Sequence, residues 1–206
     1  MDARRDRLPV WVTPAQADIF FARLQGRAPS KIRNYAIFRL MWDAGLRVSE
    51  VVHLETHHIR WEEGLIEIRQ GKGGKDRVVP MLPTLRAALD RWMEVRHRLG
   101  IRARRVFCRI KKDERGQPLS RRHVWAVCKA IVRAAGLDPR ISPHSFRHGF
   151  AMRLKSRGVS LRDIQALLGH SSIRTTAIYQ HCDMTDLRRA IYTIDDQYGG
   201  SDVQEP

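Results

Sequence analysis

The sequence predicts a mainly helical domain carrying one small antiparallel three-stranded β-sheet, an α+β arrangement. Two observations predict it. Apolar residues recur at helical spacing, behind recognisable caps, on both sides of the chain's first third. Between residues 59 and 79 the pattern shortens to strand-length runs split by glycine turns. A length of 206 residues suits one domain with its own core, and no repeat or linker divides it.

Taken in order, Thr13-Pro14 reads as a helix start, with Thr as N-cap and Pro at the first helical position. Ile19, Phe20 and Leu24 supply its apolar face before Gly26. A second helix is expected from about Ser30, burying Ile32, Tyr35, Ala36, Phe38, Leu40 and Met41 on one side until Gly45 interrupts it. Arg47 then sits in the turn entering a third helix with Val48, Val51, Val52 and Leu54. Residues 59–61, 65–69 and 77–79 read as strands, joined by Glu62-Glu63-Gly64 and by the glycine-rich Gly71-Lys72-Gly73-Gly74.

Helices resume over residues 84–99. Residues 102–115 are basic and irregular apart from Val106-Phe107. Ser120 caps a helix with Val124, Trp125, Val127, Cys128 and Ile131, closed by Gly136. Ser142 caps one that begins at Pro143. Ser160 and Asp163 make a capping-box-like start for the next, with Leu161, Ile164, Leu167 and Leu168 inward and Gly169 as the stop. Ser172 starts a helix bearing Tyr179. A last helix begins near Asp183 or Thr185 and carries Leu187, Ile191 and Ile194.

Composition narrows the function classes. Lys plus Arg is 38 against 22 for Asp plus Glu, a formal charge of +16 that points to a polyanionic partner. Nucleic acid fits better than a membrane, because no apolar run approaches spanning length. The N-terminus has charge but no apolar segment behind it, so no secretory signal is read. Cys108, Cys128 and Cys182 are odd in number and widely spaced, which suits a reducing compartment and a cytoplasmic location. No CxxC occurs, and the adjacent His57 and His58 lack helical ligand spacing, so no metal site is expected.

The densest chemistry lies in ISPHSFRHGFAMRLKSRGVSLRDIQALLGHSSIRTTAIYQH, residues 141–181. It places His144, Arg147 and His170 ahead of Tyr179, an odd set for a core and a sensible one for a phosphodiester. Arg grips two phosphate oxygens at once, His moves a proton near neutral pH, and Tyr can form a covalent intermediate. His144 and Arg147 are three apart and share a helix face. Phe146, Phe150 and Leu154 mark the other side, so the basic pair is expected to face out of the core toward a cleft. GLRVSE adds Arg47, a cation at a helix start where the dipole disfavours it, and Glu50 one turn on. Glu50 could pair with Arg47, orient a neighbour, or form a purely structural ion pair. GKGGKDR adds Lys72.

These residues resemble the tyrosine recombinases, the phage-integrase family, and its Xer-type members most closely. An Arg in a GLR-x-SE context, a hairpin Lys, H-x-x-R, a His after LLG and a following Tyr are matched by Arg47, Lys72, His144, Arg147, His170 and Tyr179. The resemblance runs from about Leu8 to Ile194 and implies a helical catalytic domain with a three-stranded sheet. It implies that Tyr179 attacks the scissile phosphorus, releasing a 5′-hydroxyl and leaving a 3′-phosphotyrosyl link that needs no ATP to reseal. Arg47 and Arg147 are then the clamp on the non-bridging oxygens, and His170 hydrogen-bonds the phosphate. His144 assists Tyr179 or binds a phosphate oxygen, and Lys72, with Lys75 as its rival, protonates the leaving oxygen. No metal or other cofactor is expected.

Arg102, Arg104, Arg105, Lys111, Lys112, Arg121 and Arg122 form a basic stretch expected to contact DNA phosphates, with Arg121, Arg122 and His123 at a helix start where groove-reading residues often sit. Residues 1–7 read as a basic extension, 8–196 as the catalytic domain and 197–206 as a disordered tail. Family members usually carry a DNA-clamping domain of roughly a hundred residues ahead of this one. Here only a few residues precede Leu8, so the chain reads as a minimal protein or a fragment, Met1 weakly favouring the former. The resemblance implies a homotetramer on paired double-stranded DNA sites, with an accessory DNA-binding protein as a further partner. The competing readings are a DNA-binding regulator that never cuts and a type IB topoisomerase.

Overall fold

The computed structural model describes residues 10–69, 76–169 and 184–195. Helices α1 (Pro14–Ala22), α2 (Pro29–Asp43) and α3 (Val48–His53) come first. Strands β1 (Ile59–Arg60), β2 (Leu65–Ile68) and β3 (Arg77–Pro80) follow. Then come α4 (Pro83–Arg98), α5 (Arg121–Ala134), α6 (Pro143–Ser156), α7 (Leu161–Leu168) and α8 (Met184–Tyr192). The sheet is an antiparallel meander, β1-β2-β3, with Ile59 opposite Ile66 and Ile66 opposite Val79.

The expected caps form. The Thr13 hydroxyl accepts from the Gln16 amide at 3.3 Å, while the Gln16 side chain accepts from the Thr13 amide at 3.0 Å. Ser120 accepts from His123 and Ser160 from Asp163, each at 3.1 Å. Gly169 ends α7 in the left-handed conformation, φ 63°.

Helix α2 is the structural axis. It packs on α4 along one side and on α6 along another. It therefore buries Ile37, Trp42, Arg33 and Asp43 as well as the residues expected inward, except Tyr35, which is only partly buried, and its burial runs nearly all round. Phe20, Phe38 and Phe146 bring α1, α2 and α6 together in a cluster with ring centroids 4.7 to 5.3 Å apart, Phe20 edge-on to the other two and Phe38 tilted against Phe146.

Three apolar residues read as inward are not. Ile19 is 46% exposed while Phe21 takes its place in the core, Leu161 is 70% exposed at the start of α7, and Trp125 is 51% exposed on α5. Each borders its helix's apolar stripe, where spacing alone does not settle the side. Leu187 and Ile191 of α8, which packs against α7 and β3, and Ile194 just beyond it are buried in the chain's own core. Cys108 and Cys128 are buried free thiols, and burial pushes Cys128 up to about 12. Among the described residues, no helix is long and apolar enough to cross a membrane.

Candidate active site

The site is assembled where α2, α3, β3, α6 and α7 converge. After α2 the chain reverses at Gly45, whose φ of +63° favours glycine. A Cβ there would also lie 2.5 Å from the Phe150 ring. This turn delivers Arg47 to the N-cap of α3 and aims the Gly45 carbonyl inward. Arg147, from the middle of α6, donates Nη1 to that carbonyl and Nη2 to the Leu168 carbonyl, each at 2.6 Å. It thus joins the α2–α3 turn to the C-terminus of α7.

Glu50 is the centre of the cluster. Oε1 accepts from Arg47 Nη1 at 3.0 Å and from Arg77 Nη1 at 2.9 Å. Oε2 accepts from the Arg47 backbone amide at 2.7 Å and from Arg77 Nη2 at 2.8 Å. Arg147 Nη1 lies 3.8 Å from Oε2, an ion pair without a hydrogen bond. Burial pushes the Glu50 carboxyl up, but the hydrogen bonds and charge of Arg77, with Arg47 and Arg147 behind them, outweigh burial and hold it below 4.5.

Arg147 is the strained partner. Burial pushes its guanidinium down to about 9, Arg47 and Arg77 push the same way, and only Glu50 opposes them. It stays charged at neutral pH. Among the described residues, three guanidiniums face one carboxylate here, an excess of two positive charges at a mostly buried site. An anion of two negative charges would balance it.

Arg47, Glu50 and Arg147 are therefore brought together as the sequence suggests, with one correction. Arg147 does not face outward with His144: it is 4% exposed, whereas His144 is exposed and meets the His148 ring edge-on at 4.3 Å. The two share a helix face, but Arg147 is covered by the Gly45 turn and the end of α7 that it bonds, and His144 is not. Lys72, His170, Tyr179 and Cys182 lie outside the described residues, as does Lys75. Sequence reasoning missed Arg77. The signal was present: β3 alternates, Val79 points into the core, and Arg77 two residues earlier shares its face.

The basic surface divides. Arg102, Lys111, Lys112, Arg121 and Arg122 are exposed, and Arg104 pairs with Glu55 at 3.3 Å while its side chain stays 83% exposed. Arg105 serves the fold: it donates to the His53 carbonyl and lies 3.9 Å from Glu55, at the β-bridge that ties this loop to the end of α3. His123 turns inward instead of toward a groove. Its Nε2 sits 3.0 Å from Arg33 Nη2, and burial and then Arg33 push its pKa down, so it accepts as neutral imidazole. Among the described residues no three His, Cys, Asp or Glu gather as a metal site would need.

Comparison with known proteins supplies the lineage. The chain is 36% identical over 182 residues to the tyrosine recombinase XerD of Ralstonia nicotianae, covering 88% of this chain and 59% of that protein. It is 40% identical over 166 residues to the tyrosine recombinase XerA of Thermococcus onnurineus, covering 79% and 55%. The crystal structure of XerA recombinase superposes with a TM-score of 0.71 at 29% identity, over 91% of this chain and 65% of that one. XerH bound to its difH substrate, in a pre-cleavage complex, gives 0.67 at 26%, over 88% and 53%. The chain thus spans 55 to 59% of the length of these two relatives. The profile of the phage integrase family matches residues 11–186, and the chain belongs to that family.

Proposed function

We propose that this chain is the catalytic part of a site-specific DNA recombinase that cleaves and rejoins double-stranded DNA. The observation that carries the reading is the Arg47–Glu50–Arg77–Arg147 cluster, whose surplus of two positive charges, counted over the described residues, matches the charge that a singly charged scissile phosphodiester reaches in its transition state. Its kinship with proteins named tyrosine recombinases supplies the reaction class.

Arg47 and Arg147 hold the non-bridging oxygens as charge accumulates on them. Tyr179 loses its proton, with His144 assisting, and its oxygen forms a bond to phosphorus. The bond to the 5′-oxygen breaks, and Lys72 gives that oxygen a proton. His170 hydrogen-bonds the phosphate throughout. A 5′-hydroxyl from the recombining strand then attacks the 3′-phosphotyrosyl link, Tyr179 leaves, and the backbone is restored without ATP. Residues 8–196 form this domain. Arg102, Arg104, Lys111, Lys112, Arg121 and Arg122 contact backbone phosphates, and Arg105 supports them from behind. The working unit is a homotetramer on paired sites in the cytoplasm, with an accessory DNA-binding protein where clamping is needed.

Covalent capture tests this. The tagged protein is recovered from denatured host lysate without crosslinker, and attached DNA is sequenced beside a Tyr179→Phe control. Discrete DNA ends on the native protein alone are expected. A folded protein that binds DNA yet carries none sinks the recombinase reading in favour of a regulator. Ends scattered without a shared sequence favour a topoisomerase.

A further inference from the structure

We propose that Arg77 is a positioning residue that keeps Glu50 from occupying the anion site. The catalytic consequence rests on the recombinase reading, but the effect on the anion site does not.

Among the described residues, Glu50 is the carboxylate bonded within the cluster's three guanidiniums, and its Oε2 is already 3.8 Å from Arg147 Nη1. A buried carboxylate that close to an under-compensated cation tends to close the gap. Opposing it, beside the Arg47 amide and side chain that also hold these oxygens, is the two-pronged grip of Arg77, at 2.9 Å on Oε1 and 2.8 Å on Oε2. Arg77 is itself fixed, because its Nε donates at 2.7 Å to the Leu167 carbonyl and its side chain is buried at the start of β3. The next carbonyl along α7, that of Leu168, receives Arg147. One helix terminus thus holds the restraining arginine and the arginine being kept open, and the negative end of the helix dipole suits both.

Stability alone does not explain this arrangement. A buried ion pair replaced by apolar groups of similar volume is often neutral or stabilising. Without Arg77, Glu50 can swing onto Arg147, and the cluster falls from three cations and one anion to two and one. Lysine restores the charge but not the grip, because an ammonium is a point donor that cannot bracket both oxygens and reach Leu167.

The test compares wild type, Arg77→Met, Arg77→Lys and Arg77→Met combined with Glu50→Gln. Inorganic phosphate is titrated into each while the Arg147 Nε–H resonance is followed by NMR, that signal being identified by its loss in Arg147→Lys. Arg77→Met should weaken phosphate binding by about tenfold or more. Arg77→Lys should stay weakened, and adding Glu50→Gln to Arg77→Met should return affinity to within a few-fold of wild type. Arg77→Met strands the Leu167 carbonyl, so the melting temperature should fall in the single and the double variant alike, which leaves phosphate affinity, not stability, as the readout that separates them. In the host capture assay, Arg77→Met should lower covalent adducts by roughly a hundredfold.

Wild-type affinity in Arg77→Lys would mean that charge alone suffices, and the proposal is overturned. No recovery in the double variant overturns it as well, since the harm was then not done by Glu50. A wild type whose Arg147 signal ignores phosphate also ends it. The expected phosphate pattern with no wild-type adducts in the host leaves the positioning role standing and removes the recombinase reading instead.

Discussion

Arg33 and Arg147 are equally buried, at 4% exposed, and burial pushes both guanidiniums down, to about 10 and about 9 respectively. Their surroundings differ. Arg33 donates to the Cys108 carbonyl at 3.1 Å, to the Asn34 side chain at 3.0 and 3.1 Å, and to His123. These are neutral acceptors, and they pin the 108 loop and α5 onto α2. Arg147 also takes two carbonyls, but it shares its carboxylate with two other arginines that repel it. Burial alone does not mark a functional arginine. In the proposed reading, what marks Arg147 is an unbalanced charge held in place by two carbonyls.

Substitutions at the two regions should separate along that line. The largest stability effect is expected at the shared anion. Glu50→Ala leaves three guanidiniums facing one another and should destabilise the fold by about 3–5 kcal/mol, read by urea denaturation. A loss below 1 kcal/mol would show that water, not Glu50, compensates the cluster. Next is Arg147→Met. It should cut covalent adducts by roughly a hundred- to a thousandfold, about 2.7–4 kcal/mol. Its melting temperature should hold, because relief of repulsion from Arg47 and Arg77 offsets the two abandoned carbonyls. Binding to non-specific duplex DNA should change only modestly, since many exposed cations hold the backbone. Loss of folding would move Arg147 into the same structural class as Arg33.

Arg33→Met should show the reverse pattern. It strands the Cys108 carbonyl and removes the partner of His123, so stability should drop by about 1–3 kcal/mol. Cleavage of bound DNA should stay within a few-fold. If cleavage falls as far as in Arg147→Met with stability intact, the distinction between the two arginines fails.

Much of this was legible in the chain because it is written locally. Thr13, Ser120 and Ser160 cap through bonds to residues three positions on, and Gly169 needs only its own backbone freedom. Arg47 and Glu50 are three apart and met as spacing suggests. What escaped was set by distant contacts. Arg77 reaches back 27 residues to Glu50 and forward 90 to Leu167, and no local pattern announces either partner. Arg105 and His123 look like free cations in a basic run until α3 and α2 claim them. The depth of Arg147 depends on where Gly45 and α7 lie, and helix spacing gives its direction but not its cover.

The smallest expected effect is on pH dependence, and it isolates Glu50 from the rest of the cluster. Arginine partners hold the folded-state carboxyl below its ordinary 4.5 despite burial. A depressed carboxyl contributes stability that is fully present above the unfolded-state value and is lost as pH falls through the lower folded-state value. The stability gap between wild type and Glu50→Gln should therefore be constant from pH 7 to about 5 and narrow as pH falls below 4.5. Urea denaturation of both proteins at stepped pH reads it directly. A gap that widens on acidification would mean that burial, not the arginines, dominates at Glu50. The surplus charge that separates Arg147 from Arg33 would then be larger than two, and the site would seek an anion still more strongly.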